Sequence, residues 1–194
     1  MKHSCKRVVA ATALALGLSA PAFAQWSLSS DKSSLHFLST KNAQVTEVHQ
    51  FHSLSGSVSQ DGKLNVDVDL ASVDTSIEIR DTRMKELLFK VADNPRATFT
   101  AALPQPMMAM EAGDTMTGEV KGSLTLHGES MPASFMVRAS KLSDETLTVS
   151  TVAPTLIEAD NFSLVKGLKE LQSIAGLNSI TTTVPVTFSV VFSQ

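Results

Sequence analysis

The sequence contains little that would cross-link or rigidify a chain: one cysteine, Cys5, no tyrosine, one tryptophan, nine glycines and seven prolines among 194 residues. A single cysteine cannot form an intramolecular disulfide, so burial of apolar side chains must hold the fold. Glycine and proline are too few for a collagen-like or proline-rich chain. Hydrophobic residues make up 43% of the sequence and charged residues 18%, which excludes a disordered composition. The formal net charge of −3 argues against general nucleic-acid binding, and no nucleic-acid partner is predicted.

Motifs of common catalytic sites are also missing. The sequence has no Gly-x-Ser-x-Gly elbow and no glycine-rich phosphate loop. Among the histidines, His49 and His52 are three positions apart, so on a strand they face opposite sides and would share a metal only in a turn or helix. We therefore predict no catalytic residues, no metal site and no cofactor. Serine is abundant, so a Ser-His-Asp hydrolase site stays open as an alternative.

The first 24 residues have the layout of a secretory signal peptide. Three basic residues precede an apolar run at 8–18, and a small-x-small sequence ends at Ala24. The run is too short for a permanent membrane anchor. We predict cleavage after Ala24 and export to the periplasm, which leaves one domain of residues 25–194 with no cysteine. No second apolar run approaches transmembrane length, so no stable membrane insertion is predicted.

Alternation of apolar and polar residues predicts strands along most of the remaining chain. The clearest case is 64–70, which follows an Asp61-Gly62 turn and reads with 56–59 as a hairpin. The apolar parity changes after Leu70, which we interpret as a β-bulge at Ala71-Ser72. Similar alternation recurs at 97–103, 120–126, 133–139, 147–151 and 184–192.

Two short segments show helical spacing instead. Met84, Leu87 and Leu88 lie at i, i+3 and i+4, which predicts an amphipathic helix over 80–89 with Asp81 as its N-cap. Leucines at 164, 168 and 171 with Ala175 predict a second helix that ends at Gly176.

The pattern therefore predicts a mainly all-β fold of roughly eight antiparallel strands and one or two short helices. A sandwich and a closed barrel both fit this pattern, and we favour the barrel because closure removes exposed strand edges. Eight-stranded barrels can hold one small ligand. Alternation alone does not separate a hollow barrel from a packed one.

Three stretches in fixed order carry a family resemblance. They are Ser72-Val73-Asp74-Thr75 leading to Arg80-Asp81, then Ala97-Thr98-Phe99 after Asn94-Pro95, and then Gly122-Ser123-Leu124-Thr125-Leu126-His127-Gly128. Together with the aromatic opening at Trp26, this order resembles the YceI-like family of exported proteins, also called polyisoprenoid-binding-like proteins. The resemblance extends from Trp26 to Phe192.

The resemblance implies an eight-stranded antiparallel, lipocalin-like barrel with a long hydrophobic cavity. It implies periplasmic binding, storage or transport of an elongated apolar ligand, such as an isoprenoid chain or a quinone-like lipid. Arg80 and Arg83 are the candidate residues for a headgroup, with a helix cap and a local ion pair as the alternative role of Arg80 and Asp81. The helix around Leu88 would close one end. The predicted apolar contacts are Phe37, Val66, Val68, Ile77, Met84, Leu88, Phe89, Phe99, Leu124 and Phe135.

Three further alternatives stay open at this point. The same barrel would also suit an enzyme that acts on a small apolar substrate. A solid core would instead suit an envelope stress or interaction protein. The pattern does not decide whether the chain forms a homodimer.

Overall fold

The computed structural model describes residues 26–194, and the predicted signal peptide, 1–24, lies outside them. Strands account for most of the regular structure, with three short α-helices between them. The strands are β1 (Trp26–Leu28), β2 (Ser34–Lys41), β3 (Val45–Phe51), β4 (Leu54–Val58), β5 (Lys63–Asp69), β6 (Val73–Asp74), β7 (Arg96–Ala102), β8 (Thr115–Leu126), β9 (Glu129–Ser143), β10 (Thr146–Thr151), β11 (Thr155–Glu158) and β12 (Thr183–Ser193). The helices are α1 (Glu78–Arg83), α2 (Gln105–Met108) and α3 (Val165–Ile174).

The strands close into a barrel. The hydrogen-bonded order runs β1-β4-β5-β7-β8-β9-β10-β12, and β12 pairs back onto β1 with Ser27 opposite Ser193. Strand β2 continues from β1 along β12, β3 pairs with β2, and β11 also pairs with β12. Because β1 with β2, β3 with β4, β5 with β6, and β10 with β11 each act as one interrupted strand, eight antiparallel strands surround the interior. The predicted eight-stranded antiparallel barrel is confirmed, and the sandwich alternative is wrong.

Tight turns set the register of two hairpins. The β8–β9 hairpin pairs twelve residues on each side, and its turn is His127-Gly128, whose φ angles are 53° and 83°. Two consecutive positive φ angles match the right-handed twist of hairpin strands, and glycine adopts them without steric cost. The predicted hairpin at Asp61-Gly62 is also present, with β4 paired to β5.

The predicted β-bulge at Ala71-Ser72 is wrong. A 3-10 turn over Leu70–Ser72 interrupts the strand there, and the carboxylate of Asp69 accepts a hydrogen bond from the Ala71 N–H at 2.9 Å. The chain then pairs with β3 through Val73 and Asp74. A side chain that satisfies the local backbone makes this turn stable, and the turn produces the change of parity that the sequence shows.

Helical segments cover one end of the barrel. Helix α1 continues into a π-helical turn over Met84–Phe89, and α3 packs across that turn. The predicted helix is therefore present but begins earlier. Asp81 is not its N-cap, which is Ile77; the Asp81 carboxylate instead accepts from the Thr75 N–H at 2.9 Å and from the Thr75 hydroxyl.

Helix α3 confirms the second predicted helix, and the chain turns at Gly176. Helix α3 approaches the π-helical turn closely, because a Cβ atom built at Gly167 would lie 2.6 Å from the Leu87 carbonyl oxygen. No helix in the described part of the chain is long and apolar enough to cross a membrane.

Candidate functional site

The barrel is hollow. Its interior holds a cavity of about 550 Å³, walled mostly by apolar side chains from all eight strands of the barrel. Side chains alternate across a strand, so every second residue of each strand faces this space. Inward residues such as Val66, Phe99 and Leu124 are only half-buried, which is the result expected when an open space lies against them.

The cavity brings together the ligand-binding residues that were predicted from the sequence. All ten predicted apolar residues lie on its wall, and so do Arg80 and Arg83. They come from five strands, from α1 and the π-helical turn, and from the turn before α1. Their contact with a ligand stays a prediction.

Two aromatic clusters form part of the wall. Phe135 stands edge-on to Phe99, with ring centroids 5.0 Å apart, and lies 5.5 Å from Phe188. Closer to the helical cap, Phe51 lies 5.2 Å from Phe37 and 5.8 Å from Phe89. Edge-to-face and tilted aromatic pairs are favourable, so these contacts stabilise the wall.

A charged network lies where α1 meets the barrel. Glu47 Oε2 is 2.9 Å from Arg80 Nη1 and 2.9 Å from Lys41 Nζ, and Arg80 Nη2 donates to the Thr75 carbonyl at 2.7 Å. The hydrogen bond from Lys41, with the charge of Arg80, holds the pKa of Glu47 below its ordinary value. Arg80 is thus ion-paired within the fold, at a carboxylate that it shares with Lys41.

Arg83 differs from Arg80. It also lies on the cavity wall, but among residues 26–194 no carboxylate lies within ion-pairing distance of it. A half-buried guanidinium without a carboxylate partner retains its donors for other acceptors. Of the two predicted headgroup residues, Arg83 is therefore the one with free charge, whereas Arg80 has a structural role.

His49 is a wall residue that the sequence interpretation missed. It is 4% exposed, its Nε2 lies 2.9 Å from the Ser39 hydroxyl, and its ring packs 5.2 Å from that of Phe37. Burial, followed by the nearby charge of Arg80, lowers the pKa of His49 below its ordinary value of 6.5. Glu47, His49 and Phe51 are spaced two residues apart on one strand, so their side chains point to the same side. Because Phe51 is apolar, this spacing indicates that Glu47 and His49 also face the interior.

His49 and His52 do not form a metal site. His52 lies outside the barrel wall, where its Nε2 is 2.8 Å from Asp74 Oδ2. The two rings therefore face opposite sides, as strand geometry predicts. Within the described residues, no group of three or more histidine, cysteine, aspartate or glutamate side chains could hold a metal ion.

The exposed wall residues locate the mouth of the cavity. Among all wall residues, Ile77, Ile79, Ala175 and Thr181 are the exposed ones. They belong to α1 and the turn before it, to the end of α3 and to the segment that leads into β12. Hydrogen bonds join this segment to the β2–β3 hairpin, for example from the Thr181 N–H to the Thr40 carbonyl. At the opposite end the cavity is closed by α2 and by methionines, of which Met110 is buried.

The family model of the YceI-like domain matches residues 26–192 of the chain. The chain belongs to the YceI-like family. A solved structure that the chain resembles is a polyisoprenoid-binding domain from Saccharophagus degradans, implicated in plant cell wall breakdown. The two share 35% identity over 87% of this chain and 97% of that one, with a TM-score of 0.81.

Two more distant structures share the fold of this YceI-like protein. BcnA of Burkholderia cenocepacia is 20% identical over 84% of this chain and 98% of that one, with a TM-score of 0.65. The YceI protein of Campylobacter jejuni is 20% identical over 92% of this chain and 97% of that one, with a TM-score of 0.50. A search among curated proteins found no match.

Proposed function

We propose that this YceI-like protein binds an elongated apolar ligand, with the ligand chain in the barrel and its polar end near the mouth. The observation that carries this proposal is the apolar cavity of about 550 Å³ enclosed by the barrel. Its volume falls within the range of about 300–1,000 Å³ that is usual for small-molecule pockets. A cavity that served only as core would be filled, because protein interiors are close-packed.

An isoprenoid chain is the ligand class that a similar structure supports, and we extend the proposal to isoprenoid quinone tails. The similar domain from Saccharophagus degradans is described as polyisoprenoid-binding, and its identity to this chain is 35%. Each methylene-sized group transferred from water to the apolar wall contributes about 0.8 kcal/mol. A long chain can therefore bind without many polar contacts, even after the cost of ordering it.

Arg83 is the residue that we assign to the ligand headgroup. It lies on the wall, among residues that reach the mouth, and its charge is not balanced by a carboxylate of the described chain. Arg80 instead holds Glu47 and the Thr75 carbonyl in place. We assign storage or transport of the lipid to the periplasm, because residues 1–24 have the signal-peptide pattern.

Native mass spectrometry tests the proposal directly. The processed protein is purified from its own periplasm, weighed under native conditions and then extracted with organic solvent. We expect a discrete added mass that extracts as an isoprenoid or a quinone. An apo mass, together with failure to bind an added isoprenoid alcohol, would contradict the proposal.

A pair of tryptophan variants connects binding to the cavity. Leu124→Trp fills the interior, whereas Met136→Trp places the same side chain on the outer surface of β9. We expect the inner variant to lose the bound lipid and the outer variant to retain it. Equal retention by both folded variants would show that the lipid binds elsewhere.

A further inference from the structure

The inward residues of β2 and β3 become more polar toward the mouth. Every second residue of these strands lies on the cavity wall, and from the interior outward the cross-strand pairs are Leu35 with Phe51, Phe37 with His49, and Ser39 with Glu47. Lys41 follows at the end of β2. Successive inward residues of a strand are about 7 Å apart, so the wall of β2 changes from phenylalanine to lysine within about 14 Å. Ser39 and His49 therefore lie at the boundary between the apolar wall and the charged network around Glu47.

His49 has a neutral ring with one unpaired nitrogen. Its Nδ1 atom is buried and has no hydrogen-bond partner in the described chain, whereas its Nε2 atom lies 2.9 Å from the Ser39 hydroxyl oxygen. The lowered pKa of His49 leaves a single proton on the ring near pH 7. Buried N–H groups without an acceptor are rarer in proteins than buried acceptors without a donor, which places this proton on Nε2. The Nε2–H group then donates to the Ser39 hydroxyl.

The Ser39 hydroxyl retains a donor of its own. Its contact with His49 is the one side-chain hydrogen bond that Ser39 makes within residues 26–194. A hydroxyl has one O–H donor besides its lone pairs, so the O–H of Ser39 is available on the cavity wall. A donor that is left unused among apolar groups costs free energy, and an acceptor on a ligand would recover it.

The geometry of this pair suits binding better than nucleophilic catalysis. The histidine of a Ser-His-Asp triad is oriented by a carboxylate at its second ring nitrogen, and it accepts the proton of the serine. In the described chain no group bonds to Nδ1 of His49. With its proton on Nε2, the ring donates to Ser39 and does not act as a base toward it. The serine is therefore held as a donor to a third group.

We propose that the Ser39 hydroxyl, positioned by His49, donates a hydrogen bond to an uncharged oxygen at the end of the ligand's apolar chain. The site thus selects an isoprenoid that ends in a carbonyl, ether or ester oxygen over the corresponding hydrocarbon. The apolar wall lies on one side of this hydroxyl and the charged network on the other, which is the order of chain, oxygen and headgroup in such a lipid. The inference rests on the proposed function, because it assigns one contact within the same cavity.

Two ligands of the same shape test this contact. One is an isoprenoid methyl ketone, and the other is the hydrocarbon in which a methylene group replaces the carbonyl oxygen. Displacement of a fluorescent apolar probe gives the affinity of each ligand for each protein. The measured quantity is the ratio of the two affinities, because a change of the wall that affects both ligands equally cancels in this ratio.

Substitutions at Ser39 separate the hydroxyl from the space that it fills. Ser39→Ala removes the hydroxyl and Ser39→Thr retains it, whereas Ser189→Ala is the matched control at an exposed position of β12 away from the wall. We expect the preference for the ketone to fall by about threefold to tenfold in Ser39→Ala, because one hydrogen bond is lost. Ser39→Thr and Ser189→Ala should keep the ratio of the wild type. His49→Phe should lower the ratio, because Ser39 then loses the donor that directs its own O–H.

The outcomes distinguish this proposal from the proposed function. Thermal unfolding first shows that each variant is folded. A ratio that is equal in the wild type and in Ser39→Ala would overturn the contact with Ser39 and leave the proposed function intact. An unchanged ratio in His49→Phe alone would overturn the positioning role of His49. Failure of the wild type to bind either ligand would overturn the proposed function itself.

Discussion

Arg80 and Glu47 join the helical cap to the barrel wall, with 2.9 Å between Nη1 of the arginine and Oε2 of the glutamate. The residues are 33 positions apart, so the contact exists only once the barrel has formed. Arg80 also donates to the Thr75 carbonyl, which lies just before α1. The side chain of Arg80 therefore holds the start of α1 against β3.

We expect Arg80→Gln to lower the free energy of unfolding by about 1–2 kcal/mol, because Glu47 and the Thr75 carbonyl both lose a donor. Urea denaturation measures the change. Arg83→Gln is the matched control and should alter stability by less than about 0.5 kcal/mol, since it breaks no ion pair of the described chain. Equal effects of the two variants would contradict the structural role of Arg80.

The same Arg83→Gln variant should discriminate between ligands. Binding of an isoprenoid phosphate should weaken by about tenfold or more, because a charge-assisted hydrogen bond is lost. Binding of the corresponding neutral alcohol should change little. Competition against a fluorescent apolar probe gives both affinities. A similar loss for the phosphate and the alcohol would show that Arg83 supports the wall and does not contact the headgroup.

Gly122 of β8 is a site where a methyl group does not fit. A Cβ atom there would lie 2.1 Å from the Thr100 carbonyl oxygen and 2.7 Å from the Phe99 ring. We expect Gly122→Ala to lower the free energy of unfolding by about 1–3 kcal/mol, since the β7–β8 pairing must open to admit the methyl group. In Gly118→Ala, on the same strand, the methyl group meets only the end of the Met107 side chain, which can move. The midpoint temperature of thermal unfolding should therefore fall clearly for Gly122→Ala and change little for Gly118→Ala.

His49 should make stability fall as the pH decreases. Burial lowers the pKa of His49 in the folded state, so below its ordinary value of 6.5 the unfolded state takes up the proton more readily. The stability of the wild type relative to His49→Gln should then decrease between about pH 7.5 and pH 5. Urea denaturation of both proteins at the two pH values gives the difference. A difference that does not change with pH would mean that His49 titrates normally in the folded protein.

Local pattern was sufficient for most of the strands and for the Asp61-Gly62 turn, but it did not predict β2, β3 or β11, and it predicted a bulge where a 3-10 turn lies. The alternation at 64–70, the Asp61-Gly62 turn and the helical spacing of Leu164, Leu168 and Leu171 all reflect backbone periods of two or 3.6 residues. These periods are properties of a single segment, so they can be recognised in the sequence alone. The motif order was likewise enough to indicate the family.

Asp81 shows where local interpretation failed. Its type and position suit an N-cap, but its carboxylate is occupied by the Thr75 N–H and hydroxyl. The competing partner lies six residues earlier, in a turn whose course depends on the pairing of β6 with β3. A capping rule that considers only the helix does not include that competitor.

Short segments of the sequence are enough to predict the strand periodicity, two of the three α-helices of the described chain and the family, because each of these features is local. Three features depend on the tertiary structure: the hollow barrel, the ion pair of Glu47 with Arg80, and the lack of a carboxylate partner for Arg83 among the described residues. The volume of a barrel interior depends on side chains from all eight strands at once. The charge state of its mouth depends on residues that the closure of the sheet brings together from distant parts of the chain.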